Sequence, residues 1–310
     1  MFFNRDKIQQ ASKFWDKNIR IHEEKKEYIH WLDSPLVQEY CLKKLPLGNK
    51  KIPVTQWVDW IREKYIPGPL EYGLSLGCGD GTLERYVVSN NICKKVDALD
   101  NSANSIKIAK QSSSNLKLDP YINYEQKDIN RLTLEKDKYN IVFIGAAAHH
   151  FENLEHIFKE LQKGLKNNGI ITINEFIGPN QFQWSEKQLK VINDLLDLLP
   201  EDLKIDRTTG KRKATVVCPT IEAMNNLDPS EGIRSSDIIP ILSRNFRITD
   251  RIDYGGTILH LLLYGIIDNF DRTNEKDVCI LKMLEHYEDT LISEKILSSD
   301  FSIIVARNEK

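Results

Sequence analysis

The stretch Leu74-Ser75-Leu76-Gly77-Cys78-Gly79-Asp80-Gly81-Thr82-Leu83-Glu84 consists of a short apolar strand, a loop with glycine at every second position and the start of a helix. The three glycines allow a tight turn and let the backbone approach a ligand closely, because no Cβ intervenes. A helix that begins directly after the loop presents unpaired N–H groups to that ligand. The segment therefore predicts a strand–loop–helix unit that holds a nucleotide-like molecule.

The spacing of this loop argues against two other nucleotide-binding loops. No Lys-Ser or Lys-Thr follows the glycines, as a phosphate-binding loop requires. The order Gly-x-Gly-x-x-Gly of dinucleotide-binding proteins is also missing. Asp80 inside the loop would repel a pyrophosphate and suits a ligand that carries an ammonium or sulfonium charge. An ordinary glycine-rich turn is the structural alternative.

A second strand-like run, from Lys95 to Ser102, ends in the acid Asp100, 19 residues after Gly81. A carboxylate at the end of the second strand can accept hydrogen bonds from both hydroxyls of a ribose. The alternative is that Asp100 caps the next helix, since Asp-Asn-Ser is good capping chemistry. Both roles are compatible.

The following segments alternate between strand and helix patterns. Strands are predicted at 121–126 and 139–144, a helix at 152–165 and a strand at 170–176, with Asn167-Asn168-Gly169 as a helix stop and turn. Such alternation is typical of an α/β protein with a doubly wound, mostly parallel sheet and helices on both faces.

With these motifs in this order, the chain resembles the class I, Rossmann-like S-adenosylmethionine-dependent methyltransferases over roughly residues 65–180. The resemblance implies a seven-stranded sheet, S-adenosylmethionine as cofactor and S-adenosylhomocysteine as product. It implies that the glycine loop lines the methionine and ribose side, that Asp100 binds the ribose and that Asp128 faces the adenine. The cofactor-binding residues that follow from it are Gly77, Cys78, Gly79, Asp80, Gly81, Asp100, Asn101, Asp128, Ile129, Gly145 and Ala146.

The composition limits the partners and the compartment. A net charge of −2 means that the chain has no overall basic character, so a nucleic-acid partner is not favoured. The five cysteines form no Cys-x-x-Cys pair and no zinc-type cluster, so we expect reduced thiols and a cytoplasmic protein. A metal-dependent mechanism would need acidic ligands near strands four and five, where Asn174-Glu175 is a thin basis, so we predict no metal. The start of the sequence lacks a signal-peptide core, and the apolar tract 258–267 is too short to span a bilayer.

Four segments are expected: an N-terminal helical lid at 1–65, the cofactor-binding core at 66–178, a substrate-cap insertion at 179–244 and a completion of the sheet at 245–310. Strands six and seven are predicted at 245–252 and 301–306, and in the family the seventh lies antiparallel between the fifth and sixth. The intervening residues look helical at 257–269 and 275–297. They predict either a cap over the substrate or the surface of a homodimer.

Candidate acceptor-binding residues lie outside the core. The insertion leaves strand five at the edge of the sheet where ligands bind, and it carries Trp184. Arg212 lies in a basic stretch, Arg234 between two turn signals, and Tyr254 beside Gly255-Gly256. A solvated loop is the alternative for Arg212. The N-terminal tryptophans either cover the ligand or pin their helices to the sheet.

His149 and His150 directly follow the fourth strand, where the methyl donor is expected. A neutral alcohol is a poor nucleophile, so transfer to oxygen benefits from a base, and histidine has a suitable pKa. We favour His150 slightly over His149. The alternative is that these histidines pack, cap the next helix or shape the pocket. Glu175, at the end of strand five, is a second base candidate or holds a histidine in position.

The segments 175–185, 228–236 and 254–262 are similar to those of bacterial methyltransferases of carbohydrate pathways. This predicts methyl transfer to a hydroxyl of a small polar acceptor, with a sugar as the first candidate. Transfer to a carboxylate, with an arginine clamp, or to a nitrogen stays open, as does a binding protein that does not methylate. The stretch Gly-Ala-Ala-Ala-His-His disfavours methylation of adenine in DNA, which would need Asn/Asp-Pro-Pro-Tyr.

Overall fold

A computed structural model describes residues 30–45 and 56–310. The strands are β1 (Leu70–Leu76), β2 (Cys93–Asp100), β3 (Ile122–Gln126), β4 (Tyr139–Gly145), β5 (Leu165–Phe176), β6 (Arg247–Gly255) and β7 (Phe301–Arg307). Within the described residues they form one seven-stranded sheet in the order β3-β2-β1-β4-β5-β7-β6. The first five strands are parallel, and β7 runs antiparallel between β5 and β6. The predicted fold class and the place of the seventh strand are confirmed.

The helices are α1 (Pro35–Lys43), α2 (Gln56–Tyr65), α3 (Thr82–Ser89), α4 (Ala103–Asn115), α5 (Leu154–Gly164), α6 (Glu186–Leu198), α7 (Ile221–Leu227), α8 (Ile238–Asn245), α9 (Leu259–Leu263) and α10 (Glu275–Ser293). Two buried apolar clusters cover the two faces of the sheet. Phe143 and Ile141 of β4 point to one cluster, and Val142 and Ile144 point to the other. This alternation is what a strand covered on both sides requires.

The structure extends β5 beyond its predicted range. The turn predicted at Asn167-Asn168-Gly169 lies inside β5, because the strand already pairs with β4 at Leu165. Asn168 has a positive φ of 61°, and the pairing register with β4 shifts next to it. The predicted turn is therefore an irregularity within the strand, where residues 166–169 lie opposite the single residue Asn140 of β4.

The helices between β6 and β7 differ from the prediction for one local reason. The helix expected over 257–269 is α9 followed by a separate 3-10 turn at Ile267–Asn269. Gly265 between them has a φ of +75°, which a helix does not allow, and a Cβ there would approach the carboxylate of Asp206. The second helix, α10, ends at Ser293.

The helix α10 packs on the turn that follows β6. The buried Glu288 accepts the backbone N–H groups of Gly256, Ile258 and Leu259. Asp289 accepts hydrogen bonds from Tyr40 and Lys44 of the N-terminal region. The first and last helical layers of the described chain are thus joined. Whether α10 also forms a dimer surface stays a prediction.

Part of the predicted N-terminal lid, including Phe14, Trp15, His22 and Tyr28, lies outside the described residues. Trp31, Trp57 and Trp60 are buried, as anchors of this region would be. Among the described residues, no helix combines the length and the apolar composition that crossing a bilayer requires.

Candidate active site

The glycine loop follows β1 and lies against the end of β2 and the turn after β4. The backbone N–H groups of Gly77 and Cys78 donate to the carbonyl of Leu99, at 2.8 and 3.1 Å. Gly77 has a φ of +70°, and a Cβ on it would collide with the side chain of Ala147. A Cβ on Gly81, at φ +79°, would collide with the ring of Tyr124. Glycine is required at both positions by conformation and by space.

Asp100 connects this loop to the next helix. Its Oδ2 accepts the N–H of Gly79 at 2.9 Å, and its Oδ1 accepts the N–H of Ser102 at 2.8 Å. Ser102 in turn caps α4, because its hydroxyl oxygen accepts the backbone N–H of Ser105. The cap of α4 is therefore Ser102 and not Asp100, which instead accepts the N–H of the capping residue. The half-buried carboxylate also lies beside the loop, where its predicted ribose contact stays a prediction.

The other predicted cofactor residues surround the same edge of the sheet. Asp80 accepts hydrogen bonds from the N–H and the hydroxyl of Thr82, both at 3.0 Å, and so stabilises the start of α3. Asp128 lies two residues after the end of β3 and accepts the N–H of Asn130, and the neighbouring Ile129 is buried. Their contacts with the cofactor, and those of Asn101, stay predictions.

The chain leaves β4 through Gly145, Ala146 and Ala147. Ala146 has a positive φ of 50°, and its N–H donates to the carbonyl of Asn174 on β5 at 2.8 Å. A Cβ on Gly145 would lie 3.5 Å from the indole of Trp57. This turn therefore lies between the glycine loop on one side and α2 on the other, and its contact with the methionine end of the cofactor stays a prediction.

Glu175 organises the histidines after this turn. Its Oε2 accepts the backbone N–H groups of Ala147 and Ala148, at 2.8 and 2.5 Å, and its Oε1 contacts Nδ1 of His149 and accepts the N–H of Phe176. The side chain is fully buried. Glu175 holds a histidine in position, which is one of its two predicted roles.

His150 is held by a different segment, the loop at 228–233. Its Nδ1 lies 3.1 Å from the hydroxyl of Ser230, which donates to Asp228 Oδ1 at 2.6 Å. The N–H of Ile233 donates to the carbonyl of His149 at 3.1 Å and ties this loop to the histidines. The two imidazole rings lie 4.1 Å apart between their centroids.

Glu231 is a site residue that the sequence motifs do not reveal. Its Oε1 lies 3.4 Å from Nε2 of His149, and its Oε2 lies 3.8 Å from Nε2 of His150. It belongs to the motif Asp228-Pro229-Ser230-Glu231, in a segment whose turn signals single out Arg234 instead. An acid beside a Pro-Ser turn gives no indication of which distant strand end it will approach.

The carboxylates set the pKa values of the two histidines apart. Burial alone would lower the pKa of His149, but Glu175, Glu231 and Asp228 outweigh it and raise that pKa to about 9. Burial and the charge of His149 lower the pKa of His150 well below its usual range. Burial raises the pKa of Glu231, while His149 opposes that shift.

The predicted acceptor-binding arginines are already engaged with carboxylates. Arg234 binds Glu155 through two nitrogens, at 2.7 and 2.8 Å, and also contacts Asp237 at 2.9 Å. Arg212 is exposed and pairs with Glu201. Each guanidinium is thus paired with a carboxylate of the protein, and its contact with an acceptor stays a prediction.

Trp184 and Tyr254 lie in the aromatic region next to the histidines. Trp184 is buried, stacks on Phe182 and donates its indole N–H to Asp300 at 2.9 Å. Tyr254 donates to the side chain of Asn174 at 2.9 Å and lines an apolar cavity of about 90 Å³ together with Cys41, Trp57 and Asn174. Tyr254 therefore lines this cavity, whereas Trp184 packs inside the protein, and their contacts with an acceptor stay predictions.

Comparisons with known proteins bear on the central segment. Residues 74–173 match the model of a family described as methyltransferase domain. The chain is 27% identical over 131 residues to a malonyl-[acyl-carrier protein] O-methyltransferase of Halalkalibacterium halodurans, covering 39% of this chain and 47% of that protein. It is 24% identical to a 2-phytyl-1,4-naphtoquinone methyltransferase of Trichormus variabilis, covering 57% and 74%. The chain thus spans about half the length of the first of these relatives.

Solved structures share the fold over nearly the whole chain. A Galdieria sulphuraria structure assigned as a sarcosine dimethylglycine methyltransferase matches with a TM-score of 0.56 at 15% identity, covering 95% of this chain and 98% of that one. A phosphoethanolamine N-methyltransferase of Haemonchus contortus, solved with S-adenosyl-L-methionine, matches with a TM-score of 0.51 at 15% identity, covering 90% and 59%. At such identities the likeness concerns the fold alone.

Proposed function

We propose that this chain, whose residues 74–173 are a methyltransferase domain with S-adenosylmethionine as cofactor, transfers a methyl group to a hydroxyl of a small polar acceptor. A sugar or sugar-containing metabolite is the first candidate class. In this step the acceptor oxygen attacks the methyl carbon, the carbon–sulfur bond breaks and sulfur keeps the electron pair as S-adenosylhomocysteine. The proton of the hydroxyl is lost at the His149–His150 pair, where the sequence predicts a general base.

The position of the histidine pair is the observation that supports this proposal. The pair begins two residues after Ala147, which packs on Gly77 of the cofactor loop. His149 is fixed by Glu175, and His150 by Ser230 and Asp228. Groups that are held this firmly can place an acceptor in line with the methyl group, and positioning contributes much of the rate in such a transfer.

The charge around the site argues against a carboxylate as acceptor. Glu175, Asp228 and Glu231 surround the histidines, and they would repel a second anion. Arg212 and Arg234, the predicted clamp, are bound to Glu201 and Glu155. One relative is named as an O-methyltransferase of malonyl-[acyl-carrier protein], so a carboxyl group still belongs among the acceptors to be tested.

The same charge favours an amine as the second candidate acceptor. A protonated amine is attracted to a site with three carboxylates, and loss of its proton makes it a nucleophile. Two solved structures with this fold are named for sarcosine and dimethylglycine and for phosphoethanolamine. Methyl transfer to nitrogen would use the histidine pair for the same loss of a proton.

The test has a binding step and a turnover step. Calorimetry is expected to show S-adenosylmethionine binding, and Asp100→Asn to weaken it by about tenfold, with the exposed Asp119→Asn as the matched control. Failure of the folded protein to bind the cofactor would overturn the assignment.

Turnover is then measured as formation of S-adenosylhomocysteine with sugars, amines, carboxylates and quinols as acceptors. We expect transfer to a hydroxyl, and His150→Ala to reduce that turnover by roughly a hundredfold or more without changing cofactor affinity. Transfer to an amine alone would replace the first candidate with the second. No transfer to any acceptor by a protein that binds the cofactor would indicate a binding protein.

A further inference from the structure

The imidazoles of His149 and His150 and the carboxylate of Glu231 converge on one point. Their ligand atoms, one from each residue, all lie within 4.8 Å of one another. The two imidazole Nε2 atoms lie 3.4 and 3.8 Å from the oxygens of Glu231. Ligands about 2.0–2.2 Å from a common metal ion are roughly 3–3.5 Å apart, so these three groups need to move little to bind one.

Each histidine is also oriented from behind, on its other ring nitrogen. Nδ1 of His149 contacts the buried Glu175, and Nδ1 of His150 contacts Ser230, which is bonded to Asp228. A proton on Nδ1 leaves the lone pair of Nε2 directed at Glu231. Carboxylates behind metal-binding histidines are the usual way in which proteins fix the ring and its tautomer.

The charge of the cluster points the same way. Glu175, Asp228 and Glu231 bring three carboxylates around two imidazoles in a largely buried place. In the described part of the chain, the ion pairs of Glu175 and Glu231 are with these histidines and not with lysine or arginine. Packing this many acids together is costly, and a dication at their centre would offset the repulsion.

The backbone fixes the three segments that carry these groups. Glu175 accepts the N–H groups of Ala147 and Ala148 and so joins the end of β5 to the end of β4. The hydrogen bond from the N–H of Ile233 to the carbonyl of His149 joins the 228–233 loop to the turn after β4. A second hydrogen bond, from the N–H of Gln181 to the carbonyl of Gly232 at 2.6 Å, joins the same loop to the segment after β5. The cluster is therefore held before anything binds to it.

We propose that His149, His150 and Glu231 bind a divalent transition-metal ion at the acceptor side of the cofactor site. Two imidazoles and one carboxylate suit zinc, iron, cobalt or manganese, whereas magnesium prefers oxygen ligands. The sequence-based prediction of no metal rests on the residues near strands four and five, and Glu231 comes from a loop that the sequence does not place there.

The metal site itself does not depend on the proposed function. Only the role of the ion in methyl transfer rests on it. An acceptor hydroxyl bound to the ion releases its proton to solvent more readily, because the cation stabilises the oxyanion. The oxygen then attacks the methyl carbon as described above. In the presence of the ion the histidines act as ligands, and the cation promotes the loss of the proton.

The test measures metal binding without any acceptor. Full-length protein is stripped with a chelator and titrated with Co²⁺, followed by visible absorption, and with Zn²⁺, Mn²⁺ and Mg²⁺, followed by calorimetry. We expect one transition-metal ion per chain and weaker binding of Mg²⁺. His150→Ala and Glu231→Gln should each weaken Co²⁺ binding by roughly tenfold or more, while the exposed His286→Ala and Glu222→Gln leave it unchanged.

Cofactor binding by each variant shows that it is folded, and Glu231→Gln keeps the test decisive if a histidine variant misfolds. No bound transition metal in protein that binds S-adenosylmethionine would overturn the proposal, as would undiminished binding by both site variants. Metal binding without transfer to a hydroxyl would remove the proposed function and leave the metal site. Transfer to a hydroxyl that persists in metal-free protein would remove the role of the ion in the reaction.

Discussion

Glu175 at the end of β5 and His149 in the turn after β4 are bound side chain to side chain, and the second oxygen of Glu175 accepts two consecutive backbone N–H groups of the same turn. One buried carboxylate thus sets both the path of the chain after β4 and the orientation of the first histidine. The conformation of the turn and the chemistry of the site depend on the same group.

Glu175→Gln is therefore expected to damage both stability and activity. Both oxygens of Glu175 accept backbone N–H groups. In glutamine one of these oxygens becomes an NH2 group, which is a donor and cannot accept them. An unsatisfied buried donor costs about 1–3 kcal/mol. We expect a lower melting temperature in thermal unfolding and a loss of turnover. The adjacent Asn174, which bonds through its side chain to Tyr254, gives the control Asn174→Asp, which keeps an acceptor for that hydroxyl.

Gly77→Ala should weaken cofactor binding and should lower stability by more than backbone strain alone would. An alanine at position 77 would have to adopt a φ near +70°, and its Cβ would collide with the side chain of Ala147. Gly210→Ala is the matched control, since Gly210 has a φ of +68° and a Cβ added to it would meet no atom within 4 Å. The control should show only the left-handed strain of about 1 kcal/mol. Equal effects of the two variants on stability and on calorimetric affinity would contradict the close packing of loop and turn.

Asp97 is expected to contribute to stability in a way that acid removes. Burial raises its pKa, but hydrogen bonds from Lys138, Tyr139 and Asn123 outweigh that effect and lower it. A carboxyl with a lowered folded pKa stabilises the protein above its unfolded pKa of about 3.9, and this contribution is lost as the pH falls through the folded pKa. Asp97→Asn should reduce stability at pH 7 and flatten its decline between about pH 5 and 2 in urea unfolding.

Arg234→Ala should lower stability rather than acceptor affinity. Arg234 joins α5 to the segment before α8 through Glu155, Asp237 and the carbonyl of Glu152. Because the pair is partly exposed, we expect a loss of only about 1 kcal/mol. Arg212→Ala, which removes an exposed pair with Glu201, should change little. A rise in KM for the acceptor with an unchanged melting temperature would instead support Arg234 as a substrate ligand.

The core of the fold could be predicted from its local patterns. The alternating glycines require a turn after β1, and the strands around them are apolar on both faces, so element types followed from spacing alone. Boundaries were less certain where a single residue decides them. Asn168 bends β5 without ending it, and Gly265 divides a helix that the apolar pattern predicts as continuous.

The candidate site was predictable only where its residues follow strands. His149, His150 and Glu175 come directly after or at the end of β4 and β5, and parallel strands bring such ends together. Glu231 reaches the same point through a distant loop, held by the bond from Ile233 to His149. The ion pair of Arg234 could not be predicted, because a sequence does not show that Glu155 lies opposite it.

The position of β7 between β5 and β6 has a consequence for the timing of folding. β6 pairs only with β7 in the described sheet, so on the ribosome it has no neighbour to join until residues 301–307 have emerged. At roughly 5–20 residues per second, the edge of β5 stays open for about 6–25 seconds while the chain between Phe176 and Phe301 is made. During that interval the exposed strand edge is open to pairing with other chains. In a nascent-chain experiment, the part of the sheet formed by β5 and β6 is expected to be prone to aggregation until β7 has joined it.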